Sequence, residues 1–239
     1  MQKNALEENM IVNDVEIDGL ERRKTDRVMG LITICLWLGL FVGLKAALVF
    51  LFRDVMNVTG TDSEDFFRSL TDYIPLAVLT ILFFVRYLDT IVEDIQRLTK
   101  KDALFIAIMT FVAVSASYLS GMVFEFYEIE LSNQEEVSGM MAAHFIPAAL
   151  MALVYGPIVE ELLFRKALNQ LITNNIIFVT ISALLFGLIH ATDLAIVDYA
   201  ISGALFAVVY IVTGRNIVAA ILVHFFNNLV GVAELMLGL

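Results

Sequence analysis

The sequence predicts an all-α fold, a polytopic bundle of about seven transmembrane helices. Of its 239 residues, 59% are hydrophobic and the mean hydropathy is +0.83, whereas a soluble globular domain has an apolar share of roughly 45–50%. The apolar residues form a series of long runs, and helices are needed because backbone polar groups cannot stay unpaired in lipid. No linker rich in Pro, Gly or Ser interrupts the series, so we expect one membrane-embedded unit.

Seven apolar segments are the predicted spans, because about 20 residues of helix cross the hydrocarbon core. They lie at residues 28–52, 73–88, 103–126, from about 140 to at least 159, 176–191, 195–213 and 216–238. The second and the fifth are shorter than the others. The residues before the first span are polar and have no apolar core of a signal peptide, so we expect a cytoplasmic tail at 1–27 and no cleaved leader.

The fourth segment must continue beyond residue 159 if its polar residues are to share a site with the fifth. A helix ending there would leave Glu160 at the inner face and His190 toward the outer end of the next helix, roughly 20 Å apart. We therefore predict that the helix continues through 160–171, and that Pro157 can bend it because an interior proline removes one backbone hydrogen bond. Glu160 then lies well inside the bilayer.

Loop charges alternate in sign, as the excess of Lys and Arg on the cytoplasmic side requires. Basic residues predict the cytoplasmic side at 22–27, 97–101, 165–166 and 215, and acidic loops predict the outer side at 53–72 and 125–136. The N-terminus is therefore predicted to be cytoplasmic. The short loops and compact length favour a bacterial plasma membrane, and the single cysteine, Cys35, excludes a disulfide within the chain.

Three short motifs place polar groups inside the late apolar segments. They are Glu160-Glu161-x-x-x-Arg165, Phe186-x-x-x-His190 and His224-x-x-x-Asn228. Ionisable groups in hydrocarbon are costly unless they meet partners, so they mark candidate functional sites. For any single residue a structural interpretation competes, such as a polar contact between helices. Four such residues on three helices favour a site with hydrolytic chemistry.

Helical spacing divides the polar residues of the motifs into one ion pair and a set of residues with candidate chemical roles. Glu161 and Arg165 lie one turn apart on one helix face, so they can form an ion pair that neutralises a buried arginine. Glu160 points about 100° away and is free to act as a general base on water. His224 and Asn228 share a face and could donate two hydrogen bonds to one oxygen, as an oxyanion hole requires.

In this order on late membrane helices, the motifs EExxxR, FxxxH and HxxxN resemble the CPBP family of intramembrane proteases, also called the Abi or CAAX-protease family. The resemblance covers residues 140–232, and all three motifs are intact. It divides the chain into the tail at 1–27, N-terminal transmembrane helices at 28–139 and a CPBP-like catalytic region at 140–239. It implies an intramembrane endopeptidase that cuts a membrane-associated peptide or protein.

The resemblance also implies a role for each motif residue. The implied catalytic residues are Glu160, His190, His224 and Asn228, and the implied supporting residues are Glu161 and Arg165. Glu160 would activate water together with His190 for attack on a peptide carbonyl. His224 and Asn228 would stabilise the developing oxyanion.

Metal dependence stays open at this point. Glu160, His190 and His224 could form a catalytic zinc site with two histidines and one glutamate. Against this, the sequence has no HExxH spacing, and asparagine is a poor zinc ligand. We expect a glutamate mechanism without a cofactor, with a zinc metalloprotease as the alternative.

Other functions remain compatible with these residues. A non-catalytic scaffold, or a bacteriocin-immunity or regulatory protein, could retain the protease fold. A proton-coupled carrier could use the buried carboxylate, although the sequence lacks internal repeats. The expected partners are a peptide or protein substrate at the membrane and the bilayer itself. The net charge of −11 argues against nucleic acid.

Overall fold

The computed structural model describes residues 21, 23–57, 61–129, 139, 141–142 and 144–237. All regular elements within these residues are helices, which confirms the predicted all-α class. The helices are α1 (Arg23–Val55), α2 (Thr61–Arg86), α3 (Leu88–Arg97), α4 (Lys100–Phe126), α5 (Phe145–Leu171), α6 (Asn175–His190), α7 (Ala195–Val212) and α8 (Ile217–Leu237).

Six helices of the described chain are long and apolar enough to cross a membrane, so the protein is a polytopic membrane protein. They are α1, α2, α4, α5, α7 and α8. The fifth predicted span, at 176–191, corresponds to α6, which has 16 residues and is shorter than the roughly 20 residues of a full span. Most of the predicted tail, and residues 130–136 of the acidic stretch at 125–136, lie outside the described residues.

Two regions that the sequence predicts as loops are helical. Residues 61–72 form the beginning of α2, and the predicted loop at 89–102 contains α3 and the start of α4. α3 is amphipathic, with Ile91 and Asp94 buried and Val92 and Ile95 exposed. A search for long apolar runs misses such a helix, because a few buried residues, here Ile91 and Asp94, are enough to hold it against the bundle.

The short helix α3 fixes the start of α8. The buried carboxylate of Asp94 accepts the backbone N–H of Ile217 at 2.7 Å, and the Asn216 side chain donates to the Asp94 carbonyl at 2.8 Å. Asn216 also accepts the N–H of Ala219 at 3.0 Å, as an N-cap residue does. Because α8 carries the HxxxN motif, these contacts set the level at which its polar side chains lie.

The long helix α5 is continuous from Phe145 to Leu171, which confirms the predicted continuation through 160–171. It is π-helical at Met151–Tyr155 and at Leu162–Ala167, on either side of the α-helical turn Gly156–Glu161. The first π-helical turn ends two residues before Pro157, which has no N–H to donate. Glu160 lies about 16 Å from the C-terminal end of α5, which places it well inside the bundle.

Helices α6 and α7 pack closely because each has a glycine at their contact: Gly187 of α6 lies against Ile196, and Gly203 of α7 lies against Phe186. A Cβ atom at Gly187 would lie 2.6 Å from the carbonyl oxygen of Ile196, and one at Gly203 would lie 2.8 Å from the Cβ of Phe186. Small residues permit such close approach between membrane helices. The close packing presses Phe186, and with it the FxxxH motif, into the bundle interior.

We expect Gly203→Ala to lower the free energy of unfolding by about 1–3 kcal/mol, because the added methyl group overpacks the contact with Phe186. Gly121→Ala on α4 is the matched control, since nothing lies within 4 Å of its Cβ position; it should be neutral or stabilising by roughly 0.5–1 kcal/mol. Reversible unfolding of the purified proteins in mixed micelles measures both. Equal stabilities for the two variants would contradict the close packing of α6 on α7.

Candidate active site

Three of the predicted residues meet in the interior of the bundle. The Oε2 atom of Glu160 on α5 lies 3.4 Å from Nε2 of His190 on α6 and 3.8 Å from Nε2 of His224 on α8. The side chain of His224 is 5% exposed, while those of Glu160 and His190 are 19% and 21% exposed. One carboxylate oxygen, which is itself buried, therefore faces two imidazoles, while the side chains of Glu160 and His190 stay partly exposed.

The length of α6 explains how His190 reaches this level. The helix begins at Asn175, where the Asn174 side chain caps it by accepting the N–H groups of Ile176 and Ile177. Sixteen residues rise about 24 Å, which is less than the roughly 30 Å of the hydrocarbon core. His190 is the last residue of α6, so it stops inside the bundle rather than at the far interface.

The His190 ring is fixed in orientation by its neighbours. Its Nδ1 lies 2.7 Å from the carbonyl oxygen of Phe186. The ring lies between the ring of Phe186, with centroids 4.3 Å apart, and that of Tyr199 on α7, at 4.8 Å and 18°. A carbonyl only accepts hydrogen bonds, so Nδ1 carries a proton. In the neutral ring Nε2, the nitrogen that faces Glu160, is then the proton acceptor.

Tyr199 is a positioning residue that sequence reasoning missed, because no motif spacing connects it to His190. For the peptide cleavage that the motif resemblance implies, we expect Tyr199→Leu to lower kcat by up to about tenfold, with KM little changed, because the loss of stacking lets the imidazole rotate. Tyr199→Phe keeps the stacked ring and should retain most of kcat. A loss of activity in Tyr199→Phe as large as that in Tyr199→Leu would show that stacking is not the reason.

Glu161 and Arg165 form the predicted ion pair, with Oε2 and Nε 3.0 Å apart and both side chains fully buried. The structure adds a contact that was not predicted: Oε1 of Glu161 lies 2.9 Å from Nδ1 of His224. One carboxylate thus holds both the guanidinium and an imidazole. The His224 ring also stacks on Phe206, with centroids 4.6 Å apart, so its Nε2 is directed toward Glu160.

Arg165 is surrounded by aromatic rings. Its Cζ lies 4.8 Å from the ring centroid of Phe186, 5.5 Å from that of Phe206 and 5.9 Å from that of Phe164. Its Nη2 donates to the carbonyl oxygen of Gly203 at 3.0 Å. The faces of aromatic rings attract cations, so the rings and the carbonyl add to the ion pair with Glu161, although Nη1 has no hydrogen-bond partner among the described residues.

Asn228 is held differently from the other motif residues. Its Nδ2 donates to the carbonyl oxygen of Ala152, in the first π-helical turn of α5, at 2.9 Å. A primary amide carries two N–H donors, so one remains for a further acceptor. The predicted role of Asn228 in an oxyanion hole stays a prediction.

The site combines two carboxylates, one guanidinium and two imidazoles. With both imidazoles neutral its net charge is −1, and one further proton makes it neutral. Within the part of the chain that the structure describes, no three His, Cys, Asp or Glu side chains are grouped as metal ligands. The observed contacts place one carboxylate next to two imidazoles with fixed orientations, an arrangement that can transfer protons.

Residues 142–230 match a protein-family model described as "Type II CAAX prenyl endopeptidase Rce1-like". The chain is also similar to an uncharacterized protein of Mycoplasma capricolum subsp. capricolum, with 24% identity over 220 residues. That alignment covers 84% of this chain and 64% of the relative, so the chain spans less than two thirds of the length of the relative. No solved structure matches the chain significantly.

Proposed function

We propose that this polytopic membrane protein, which carries an Rce1-like domain of the CAAX-protease type at residues 142–230, is an intramembrane endopeptidase. It would hydrolyse a peptide bond in a membrane-associated peptide or protein. The observation that supports this best is the convergence of Glu160 with His190 and His224, with Oε2 to Nε2 separations of 3.4 and 3.8 Å. All three motifs lie within the matched residues.

In the proposed reaction, Glu160 acts as the general base. A water molecule bound to Oε2 of Glu160 and Nε2 of His190 transfers a proton to the carboxylate as its oxygen attacks the carbonyl carbon of the scissile bond. The carbon–oxygen double bond becomes a single bond, and the carbonyl oxygen becomes an oxyanion. When the carbon–nitrogen bond breaks, Glu160 returns the proton to the leaving amine.

His224 and Asn228 would stabilise the oxyanion. Glu161 accepts the proton on Nδ1 of His224, so His224 can donate through Nε2 only as an imidazolium. The further proton that makes the site neutral would reside there, next to the carboxylate of Glu161. The second N–H of Asn228 would be the other donor. Donors fixed before the reaction lower the barrier without reorganisation.

We base the proposed substrate class on the family match. The matching family model is named for endopeptidases that act on prenylated CAAX sequences, so a prenylated CAAX peptide is the first probe. The reaction as we propose it needs no metal. The alternative is a zinc enzyme with Glu160, His190 and His224 as ligands, and it predicts that a chelator removes activity and zinc restores it.

The experiment uses the full chain, purified and reconstituted in vesicles, with a fluorogenic farnesylated CAAX peptide and its unprenylated twin. We expect cleavage of a peptide by the wild type, with two products identified by mass spectrometry, and no cleavage by Glu160→Gln. Activity that survives EDTA supports the glutamate mechanism. No cleavage of either peptide, together with unchanged cellular function of Glu160→Ala, His190→Ala and His224→Ala, would favour a non-catalytic scaffold or regulatory protein instead.

A further inference from the structure

An apolar groove runs between α4 and α8 on the outside of the bundle. It encloses about 510 Å³. Its walls include Ala103, Ile106 and Ala107 from α4 and Leu222, Phe226 and Leu229 from α8. We call it the α4–α8 groove. The exposed fractions of Phe226 and Leu229 are 41% and 38%, so the groove is open to its surroundings along the side that faces lipid.

The shape and chemistry of the α4–α8 groove suit a hydrocarbon chain. Every lining side chain is apolar except that of Thr110, whose Oγ1 is buried and has no hydrogen-bond partner among the described residues. An apolar groove in the hydrocarbon region can order an acyl chain through many small contacts with its walls.

Basic residues stand at one end of the α4–α8 groove. Lys100 precedes Ala103 by three residues and Ala107 by seven, so helical spacing places it on the face of α4 that lines the groove. Lys100 and its neighbour Lys101 are exposed, and neither forms an ion pair with another described residue. Loop charges predict that this end lies at the cytoplasmic surface, where anionic headgroups attract such residues.

We propose that the α4–α8 groove binds one anionic phospholipid. Its acyl chain lies along Ala103, Ala107 and Phe226, and its phosphate group lies at Lys100 and Lys101. The proposal commits to a phospholipid because helical spacing places Lys100 at the end of the apolar wall, with Lys101 next to it, which matches the two halves of that molecule. A purely apolar ligand would offer no anionic group to the two lysines.

Such a lipid would support the helix that carries part of the candidate active site. Phe226 and His224 are two residues apart, so they point about 160° away from each other around α8. The lipid thus contacts the back of the helix whose front holds His224 against Glu161. The binding proposal does not depend on the proposed endopeptidase activity, and its test measures lipid contact directly.

The test is quenching of a single tryptophan by brominated lipids. Trp37 is the one tryptophan of the chain, so Trp37→Phe provides a background in which Phe226→Trp reports from the groove. Phe84→Trp on α2 is the matched control, because Phe84 is also 41% exposed but lies outside the groove. Each full-length variant is reconstituted in phosphatidylcholine vesicles with either brominated phosphatidylglycerol or brominated phosphatidylcholine.

We expect the Phe226→Trp reporter to be quenched at a roughly fivefold lower fraction of brominated phosphatidylglycerol than of brominated phosphatidylcholine. The Phe84→Trp reporter should show no preference. Adding Lys100→Gln and Lys101→Gln should abolish the preference, and Ala107→Phe, which fills the groove, should reduce quenching by both lipids. Gel filtration of each variant checks that it is folded.

Three results would overturn the proposal. Equal quenching of Phe226→Trp by both lipids would mean that the groove contacts bulk lipid without selecting a headgroup. Protection of Phe226→Trp from both lipids would mean that protein covers the groove, either a second copy of the chain or a substrate segment. A preference that survives removal of both lysines would equally exclude the basic pair as the phosphate site.

Discussion

Glu160→Gln should lower kcat/KM for peptide cleavage by about 10²–10⁴-fold, the range that a general base contributes. The carboxamide has nearly the same shape as the carboxylate, but it cannot take a proton from water. Oε1 of Glu160 lies near Gly156, where a Cβ would come within 3.3 Å of it, so the pocket fits this side chain closely and glutamine fills it without a cavity. We therefore expect the free energy of unfolding to change by less than about 1 kcal/mol.

The experiment compares initial rates and unfolding of wild type, Glu160→Gln and Glu93→Gln. Glu93 is an exposed residue of α3 and serves as the control for loss of one negative charge. The double variant Glu160→Gln with His190→Ala should be little slower than either single variant, because residues that act as one unit do not add. If Glu160→Gln cleaves normally while a folded Glu161→Gln does not, the base is Glu161 and the assignment of the two glutamates is reversed.

The part of the site that could be predicted is the part that helical spacing encodes. The Glu161–Arg165 pair lies within one helix, so its spacing alone predicts the contact that is observed at 3.0 Å. The meeting of Glu160 with His190 required one further step, a comparison of depths along two helices, and the continuation of α5 to Leu171 confirms it. Both inferences use only the rise and the turn of a helix.

The contacts that could not be predicted are those between helices. The Glu161–His224 contact at 2.9 Å joins residues 63 positions apart, and the stacking of Tyr199 on His190 joins α7 to α6. Such contacts depend on how each helix is rotated about its axis. That rotation is set by close packing at Gly187 and Gly203 and by the capping of α8 through Asp94. Apolar periodicity is weak in helices that are hydrophobic on all sides, so it does not determine the rotation.

The amphipathic helix α3 was missed for a related reason. Its sequence, LDTIVEDIQR, has too few apolar residues for a span, and its charges are those expected of a loop. Its structural role appears only in three dimensions, where Asp94 caps a helix more than 120 residues later in the chain. Loop charge therefore predicts the side of the membrane but not whether the segment is helical.

Arg165→Met should destabilise the protein by about 3–5 kcal/mol, the cost of removing one partner from a buried ion pair. The loss leaves the carboxylate of Glu161 fully buried with His224 as its remaining partner. The three aromatic rings around Arg165 would then enclose an apolar side chain, so packing should be largely kept. The destabilisation would therefore come from the uncompensated charge, and reversible unfolding in mixed micelles measures it.

The double variant Glu161→Gln with Arg165→Met distinguishes the effect of the buried charges on stability from their effect on peptide cleavage. Removing both charges should cost less than the sum of the two single variants, because each single variant leaves one ion of the pair without its partner and the double variant does not. Cleavage should nevertheless stay low, since glutamine removes the carboxylate that contacts Nδ1 of His224. Arg53→Met is the matched control: its pair with Asp54 is 3.9 Å long and well exposed, so its loss should be close to neutral. Additive losses in the double variant, or a neutral Arg165→Met, would show that the buried pair is not what holds α5, α7 and α8 together around the site.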